Sequence, residues 1–245
     1  RGYTPEAIRD FCDRIGVAKA DSTVDIALLE FCIREDLKLK APRPMVVIDP
    51  VKVLIDNYPE GQTAPCVGEN NPENEELGNR EVVFGREIYI ERNDFMEEPV
   101  KKFFRLAPGK EVRLKGAYFI TCTDVIKDEN GNITEIHCTY DPETKSGSGC
   151  TRKVKGTLHW VEASTAVDIE SRLYDYLLKE DSDGNDFLGD FNHESLQVFN
   201  SKGEACLATT VPGDRFQFLR QGYFVTDKDS TPDHIVMNRI VGLRD

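Results

Sequence analysis

The chain has 245 residues, 39% of them hydrophobic and 31% charged, and carries a formal net charge of -13. That length and balance suit one large folded domain or two smaller ones and exclude a disordered chain. The acidity disfavours indiscriminate attachment to polyanions, and no apolar run approaches the ~20 residues that cross a bilayer.

The chain opens on Arg1 rather than Met, directly before a helix-start signal, which reads as a piece of a longer polypeptide. Thr4-Pro5-Glu6 offers an N-cap, proline at the first helical position and acid in the first turn. Ile8, Phe11, Cys12 and Ile15 then recur at helical spacing until Gly16. A second helix is predicted from near Ser22, with Asp25 placed for a capping-box-like contact and Ile26, Leu29, Ile33 and Leu37 as its stripe. Pro42 and Pro44 bar its continuation.

From Met45 onward the pattern changes to β-branched runs. "MVVIDPVKVLIDNY" predicts two short strands broken at Pro50. Residues 59–79, rich in Pro, Gly, Asn and Glu, predict a long loop. Strands are predicted at "REVVF", "EIYIE", "KEVRL", "AYFITCTDVIK", "ITEIHCTY" and "RKVKGTLHWV", with Asn130-Gly131 as a hairpin centre. Residues 166–178 read as a strand followed by a short helical turn, and "DSDGNDF" as a turn. Strands return at "ESLQVF", "RFQFLRQGYFVT" and "HIVMNRIVGL". Closely spaced strands with turn punctuation predict barrels or sandwiches behind a helical entry.

Seven cysteines, an odd number without a CxxC pair, predict reduced thiols and no zinc site. No P-loop, GxGxxG, GxSxG or HExxH is present. The four histidines are scattered, and His159 beside Trp160 reads as a packed structural residue.

Charge is uneven along the chain. Residues 60–98 hold ten Glu and Asp94 against Arg80, Arg86 and Arg92. Residues 101–115 hold Lys101, Lys102, Arg105, Lys110, Arg113 and Lys115 against Glu111 alone. In a strand over "KEVRLKG", Glu111, Arg113 and Lys115 share one face and Val112 and Leu114 the other. Two readings stay open at this point: an exposed polar strand face, or a groove for single-stranded nucleic acid.

The ordered set "RGYTPEAIRDFCDRIGV", "LEFCIREDL", "APRPMVVIDPVKVLIDNY", "KEVRLKGAY", "VKGTLHWV", "RFQFLRQGYF" and "NRIVGLRD" resembles the C-terminal region of the glutaminyl-tRNA synthetase family over essentially the whole chain. The resemblance implies a mainly β fold: a helical subdomain at 1–41, then two β-barrels of the L25-like anticodon-binding type. A distal barrel at 61–160 would be inserted in a proximal one formed by 42–60 and 161–245. It implies glutamine tRNA as partner, a monomer, a cytoplasmic setting and no membrane. ATP and magnesium would serve a catalytic domain upstream, and no cofactor or metal belongs to this piece.

Residue by residue, the resemblance implies that Arg43 and Gln217 read the middle anticodon base. Arg113, with Lys115 beside it, matches the first position and Arg105 the third. Arg220 and Arg244 match basic positions near the RNA. Gln217 and Arg220 would face opposite sides of a regular strand, so a bulge is expected between them. The chain departs from the family pattern at Lys38, Glu73-Asn74, Lys102 and Phe104, so Lys38, Asn74 and Lys102 form a second group of RNA-binding candidates. Two related alternatives remain: the same region of an archaeal or eukaryotic glutamyl-tRNA synthetase, and an L25-like ribosomal RNA binder, against which the helical entry speaks.

Overall fold

A computed structural model describes every residue except 18, 20, 180, 181, 183–185 and 245. The turn expected at "DSDGNDF" falls largely outside the described residues.

Helix α1 spans Pro5–Ile15 and helix α2 spans Ile26–Lys38. Thr4 Oγ1 accepts from Ala7 N at 3.2 Å, satisfying one of the orphan donors at the start of α1. The same hydroxyl donates to Asp36 Oδ2 at 2.7 Å, so the cap of α1 also ties it to α2. Asp25 caps α2 through Ala27 N at 2.9 Å. The pair is not a separate unit, because its buried face (Ala7, Cys32, Ile33, Leu37) packs on Tyr223, Val225, Ile240 and Val241.

The strands form two large sheets and one ribbon. A seven-stranded sheet runs, in spatial order, Val161–Glu162, Glu87–Glu91, Pro50–Ile55, Ile133–Asp141, Phe119–Lys127, Glu111–Leu114 and Thr157–Leu158. Its two edge strands are joined by only His159 and Trp160. A flat seven-stranded sheet would separate its edges by about 29 Å. The connection from Leu158 to Val161 reaches at most about 11 Å. The sheet must therefore curl until its edges meet, around a core in which Trp160, Phe84, Ile88 and Ile90 are fully buried.

A six-stranded sheet runs Val46–Val47, Leu196–Gly203, Val167–Tyr174, Ile235–Val241, Gly222–Thr226 and Arg215–Phe218. Its edges also approach, since Gln217 N donates to Pro42 O at 2.8 Å, just ahead of the first strand. Val46, Ile169, Phe218 and Phe224 lie in its core, the two phenylalanines stacked at 4.1 Å. The mainly β architecture behind a helical entry agrees with the fold class expected from the sequence.

Three details differ from the expectations. Only Val46–Val47 of the segment 42–60 joins a strand of the six-stranded sheet. Pro50–Ile55 pairs with Glu87–Glu91 and Ile133–Asp141, so the crossover between sheets falls at residues 48–49 rather than near 60. The alternation explains the placement: Val51, Val53 and Ile55 point inward, while Lys52 points out to Glu87 and Glu135 at 2.9 and 3.3 Å. The predicted loop at 59–79 contains a strand, Thr63–Glu69, paired with Asn79–Gly85 as a two-stranded ribbon. Finally, the strand Val167–Tyr174 is not followed by a helical turn, because Leu178 bridges to Phe191 instead.

Candidate nucleic-acid interface

The expected RNA-contacting residues fall into three groups. The first lies at the C-terminal end of α2. The Gln217–Pro42 hydrogen bond places the strand of Gln217 against the segment of Arg43, although 174 residues separate the two in sequence. Arg43 is mostly buried; its Nη2 donates to Glu73 Oε1 at 2.7 Å and to Lys38 O at 3.1 Å. Its Nε is buried without a partner, and so is Oε1 of the buried Gln217. Buried polar atoms are nearly always paired, so an unpartnered donor and an unpartnered acceptor on neighbouring segments make this a candidate contact point for a ligand.

Lys38 Nζ also meets Glu73, at 3.1 Å from Oε2. The hydrogen bond from Arg43, then that from Lys38, holds the Glu73 carboxyl below its ordinary value. Asn74 is engaged in structure on both sides of its amide. Its Nδ2 donates to Leu39 O at 2.9 Å beyond α2, and its Oδ1 accepts Glu76 N at 3.1 Å.

The second group surrounds the basic segment. Arg113 and Lys115 leave the strand on the outer face while Val112 and Leu114 are buried, as the alternation predicts. The Arg113 guanidinium lies 4.3 Å from the Phe119 ring centroid and donates to Ser146 Oγ at 3.1 Å. Arg152 covers the same ring at 5.4 Å. Lys115 is exposed and lines, with Arg80, Lys145 and Ser146, a cavity of about 510 Å³.

Lys102 and Arg105 border a separate cavity of about 500 Å³, together with Phe104, Lys110 and Lys155. Phe104 is exposed, and Lys155 Nζ sits 5.0 Å from its ring centroid. An exposed aromatic ringed by cations suits the stacking of an unpaired base. Gly156 forms part of this wall because a Cβ there would come within 2.1 Å of Phe104 O. Lys145, Arg152 and Lys155 escaped the sequence reading: Lys145 stands at the start of a Gly/Ser-rich loop, and Arg152 and Lys155 open the run "RKVKGTLHWV", read as one strand although its strand pairing begins only at Thr157.

The third group is Arg220, whose setting differs from the expectation. No bulge separates it from Gln217: the strand ends at Phe218, and Arg220 sits in the following turn at φ 66°. Its guanidinium grips both carboxylate oxygens of the fully buried Asp94, with Nη1 2.8 Å from Oδ1. Burial works against the charged form of Arg220, yet the hydrogen bonds to Asp94 raise its pKa. His159 Nδ1 accepts from Arg220 at 2.8 Å, so the ring's proton sits on Nε2, which faces Glu91 Oε1 at 3.3 Å. His159 is the packed structural residue that the sequence predicted, only 2% exposed. Burial pushes the Glu91 carboxyl up, but donors from His159, Ile48 N and Asp49 N outweigh it and bring it below the ordinary value. Arg244 is exposed and follows Leu243, which packs on the helical cluster.

A residue that sequence reasoning missed links the first two groups. Arg80, on the ribbon, donates from Nε and Nη2 to the Glu204 carboxylate, each at 2.6 Å. It also donates to Arg43 O at 3.2 Å, while Glu204 Oε1 accepts Met45 N at 2.6 Å. Both side chains are largely buried, so this pair fixes the backbone on either side of Pro44.

Unpartnered polar atoms at Arg43 and Gln217, two cation-rimmed cavities and an exposed aromatic are together the features of a nucleic-acid-binding module. The family described as "tRNA synthetases class I (E and Q), anti-codon binding domain" matches residues 41–141 and again 157–227. The chain belongs to the anticodon-binding region of that family. It is 56% identical over its whole length to the glutamine–tRNA ligase of Clostridium perfringens, covering 45% of that relative. It is 53% identical to the glutamine–tRNA ligase of Clostridioides difficile and 52% identical to that of Bradyrhizobium diazoefficiens, again over the whole chain and covering 45% and 44% of them. The chain therefore spans less than half the length of these curated relatives. Among the described residues no helix is long and apolar enough to cross a membrane.

Proposed function

We propose that this chain is the anticodon-recognising part of a glutamine–tRNA ligase and binds the unstacked anticodon bases of glutamine tRNA. The parent protein, a cytoplasmic monomer, joins glutamine to that tRNA in an upstream catalytic domain that uses ATP and magnesium. No residue of the present chain is assigned a catalytic role. Arg113 with Lys115 is assigned to the first anticodon base, Arg43 with Gln217 to the middle base and Arg105 to the third. Lys38, Asn74, Lys102 and Arg244 are assigned to the flanking RNA.

The observation that carries this reading is the vacant pair, Arg43 Nε and Gln217 Oε1. One donates and the other accepts, which matches O4 and N3–H on the Watson–Crick edge of uracil. Glutamine codons place uridine in the middle of the anticodon. Replacing it by cytidine swaps donor and acceptor and sets like groups against each other.

The test is titration of this chain with an RNA hairpin bearing the anticodon CUG and with its CCG counterpart. The changed hairpin is expected to bind about tenfold more weakly. Equal affinities would overturn middle-base reading.

Glu73 supplies a second prediction. Its carboxylate occupies two cations, Lys38 and Arg43, at the RNA-facing end of α2. Glu73→Gln is expected to tighten hairpin binding and steepen its salt dependence by about 1 in log–log slope, because the freed Lys38 ammonium can meet a phosphate. The depressed pKa sets the sign with pH: the internal pairing is intact at neutral pH and is lost as pH falls through the lowered value. An unchanged salt slope in the variant would remove Lys38 from the phosphate contacts.

A further inference from the structure

Asp94 is fully buried in the seven-stranded half of the molecule, yet its carboxylate faces two arginines from different parts of the chain. Arg220 takes both oxygens, and Arg105 Nη1 lies 3.3 Å from Oδ1 while donating to Asn93 O at 3.0 Å. One buried negative charge is therefore divided between a residue beside the basic cavity and a residue in the turn of the six-stranded sheet. Arg220 adopts a left-handed backbone conformation, unfavourable for a residue with a side chain, which this contact maintains. The next residue is anchored too, by Gln221 Nε2 to Glu91 Oε1 at 3.2 Å. The strand that runs into this clamped turn carries Gln217.

We infer that Asp94 is a positioning residue that couples the contact at Arg105 to the pocket at Gln217, so that the third and middle anticodon bases are read cooperatively. The inference rests on the assignment of Arg105 and Gln217 to those bases. A carboxylate shut away from water cannot replace a departing arginine by hydration. When a base draws the Arg105 guanidinium toward itself, Asp94 concentrates on Arg220. The turn tightens, and with it the end of the strand that presents Gln217. A correct third base thereby sharpens discrimination at the middle base.

The test is a cycle of four hairpins, with the middle base U or C and the third base G or A, titrated against this chain. In the native chain, the U-to-C penalty is expected to be about fivefold larger when the third base is G. Asp94→Asn keeps the shape of the side chain but not its charge. It should bring that ratio to about one while leaving the salt slope unchanged. Arg220→Asn, which tolerates the left-handed backbone and removes the other arm, should do the same, and it carries the test where Asp94→Asn does not fold. Additive penalties in the native chain would overturn the coupling while leaving base reading intact. Retained coupling in a folded variant would overturn the role of Asp94. Equal binding of all four hairpins by the native chain would overturn the base-reading assignment, and this inference with it.

Discussion

Glu204→Ala is expected to destabilise the chain by about 3–5 kcal/mol, the usual cost of leaving one partner of a buried ion pair uncompensated. The Glu204 side chain is 5% exposed and that of Arg80 13%, so water cannot take the place of the lost carboxylate. Met45 N loses its acceptor in the same step. Glu69 O, Asn70 Oδ1 and Arg43 O would remain as the partners of Arg80, and none of them carries charge. Burial alone works against the charged Arg80, and the hydrogen bonds to Glu204 are what raise its pKa. Urea unfolding should show a lower midpoint with an unchanged slope. An apolar double variant, Arg80→Met with Glu204→Leu, should recover much of the loss, since a buried pair adds little over well-packed apolar groups of similar size. A loss below about 1 kcal/mol for Glu204→Ala would mean that solvent reaches the pair.

Arg43→Ala is expected to abolish discrimination between uridine and cytidine at the middle anticodon position, a loss of about 1–3 kcal/mol in binding the correct hairpin. The guanidinium is held through Nη2 by Glu73 and Lys38 O, which leaves Nε without a hydrogen-bond partner. Removing it also leaves Gln217 Oε1 without a neighbouring donor for the base to bridge. Arg43→Lys separates charge from shape. It keeps the cation, and so the salt slope, but lacks the planar fork and should still lose discrimination. A uniform loss of affinity on every anticodon, with a shallower salt slope, would reduce Arg43 to a phosphate contact.

How far the sequence could be read depended on whether the determinant was local. Thr4, Pro5 and Gly16 fix the limits of α1 through bonds to residues within four positions, and they could be read directly. Val112 and Leu114 announce the buried face of their strand by simple alternation, and the outward placement of Arg113 and Lys115 followed. The strand Thr63–Glu69 gave no such sign. It pairs along a ribbon with only Cys66 fully buried, so its pattern of proline, glycine and glutamate resembles a loop.

The same distinction governs the candidate site. The approach of the Gln217 strand to the segment of Arg43 was expected from family resemblance, and no periodicity in the chain could have announced it. Arg80–Glu204 and Asp94–Arg220 join residues 124 and 126 positions apart, each through charges that look unremarkable in their own segments. Arg220 in particular sits where backbone conformation would favour glycine, and nothing in "FLRQGYF" signals that the arginine shares a positive φ with Gly222.

The crossover at residues 48–49 has a consequence for how the chain is made. All strands of the seven-stranded sheet lie between residues 50 and 162, so that sheet can close as soon as this stretch has left the ribosome. The six-stranded sheet cannot, because Val46–Val47 must wait for Gly203 and Lys202, and its central strand ends only at Val241. Translating the intervening residues takes about 4–16 s. Throughout that interval the face of Cys32, Ile33 and Leu37 has no Ile240 or Val241 to cover it. A nascent chain stalled after residue 162 should therefore be a half-folded client with one finished barrel and a sticky helical hairpin, the kind of surface that holding chaperones recognise.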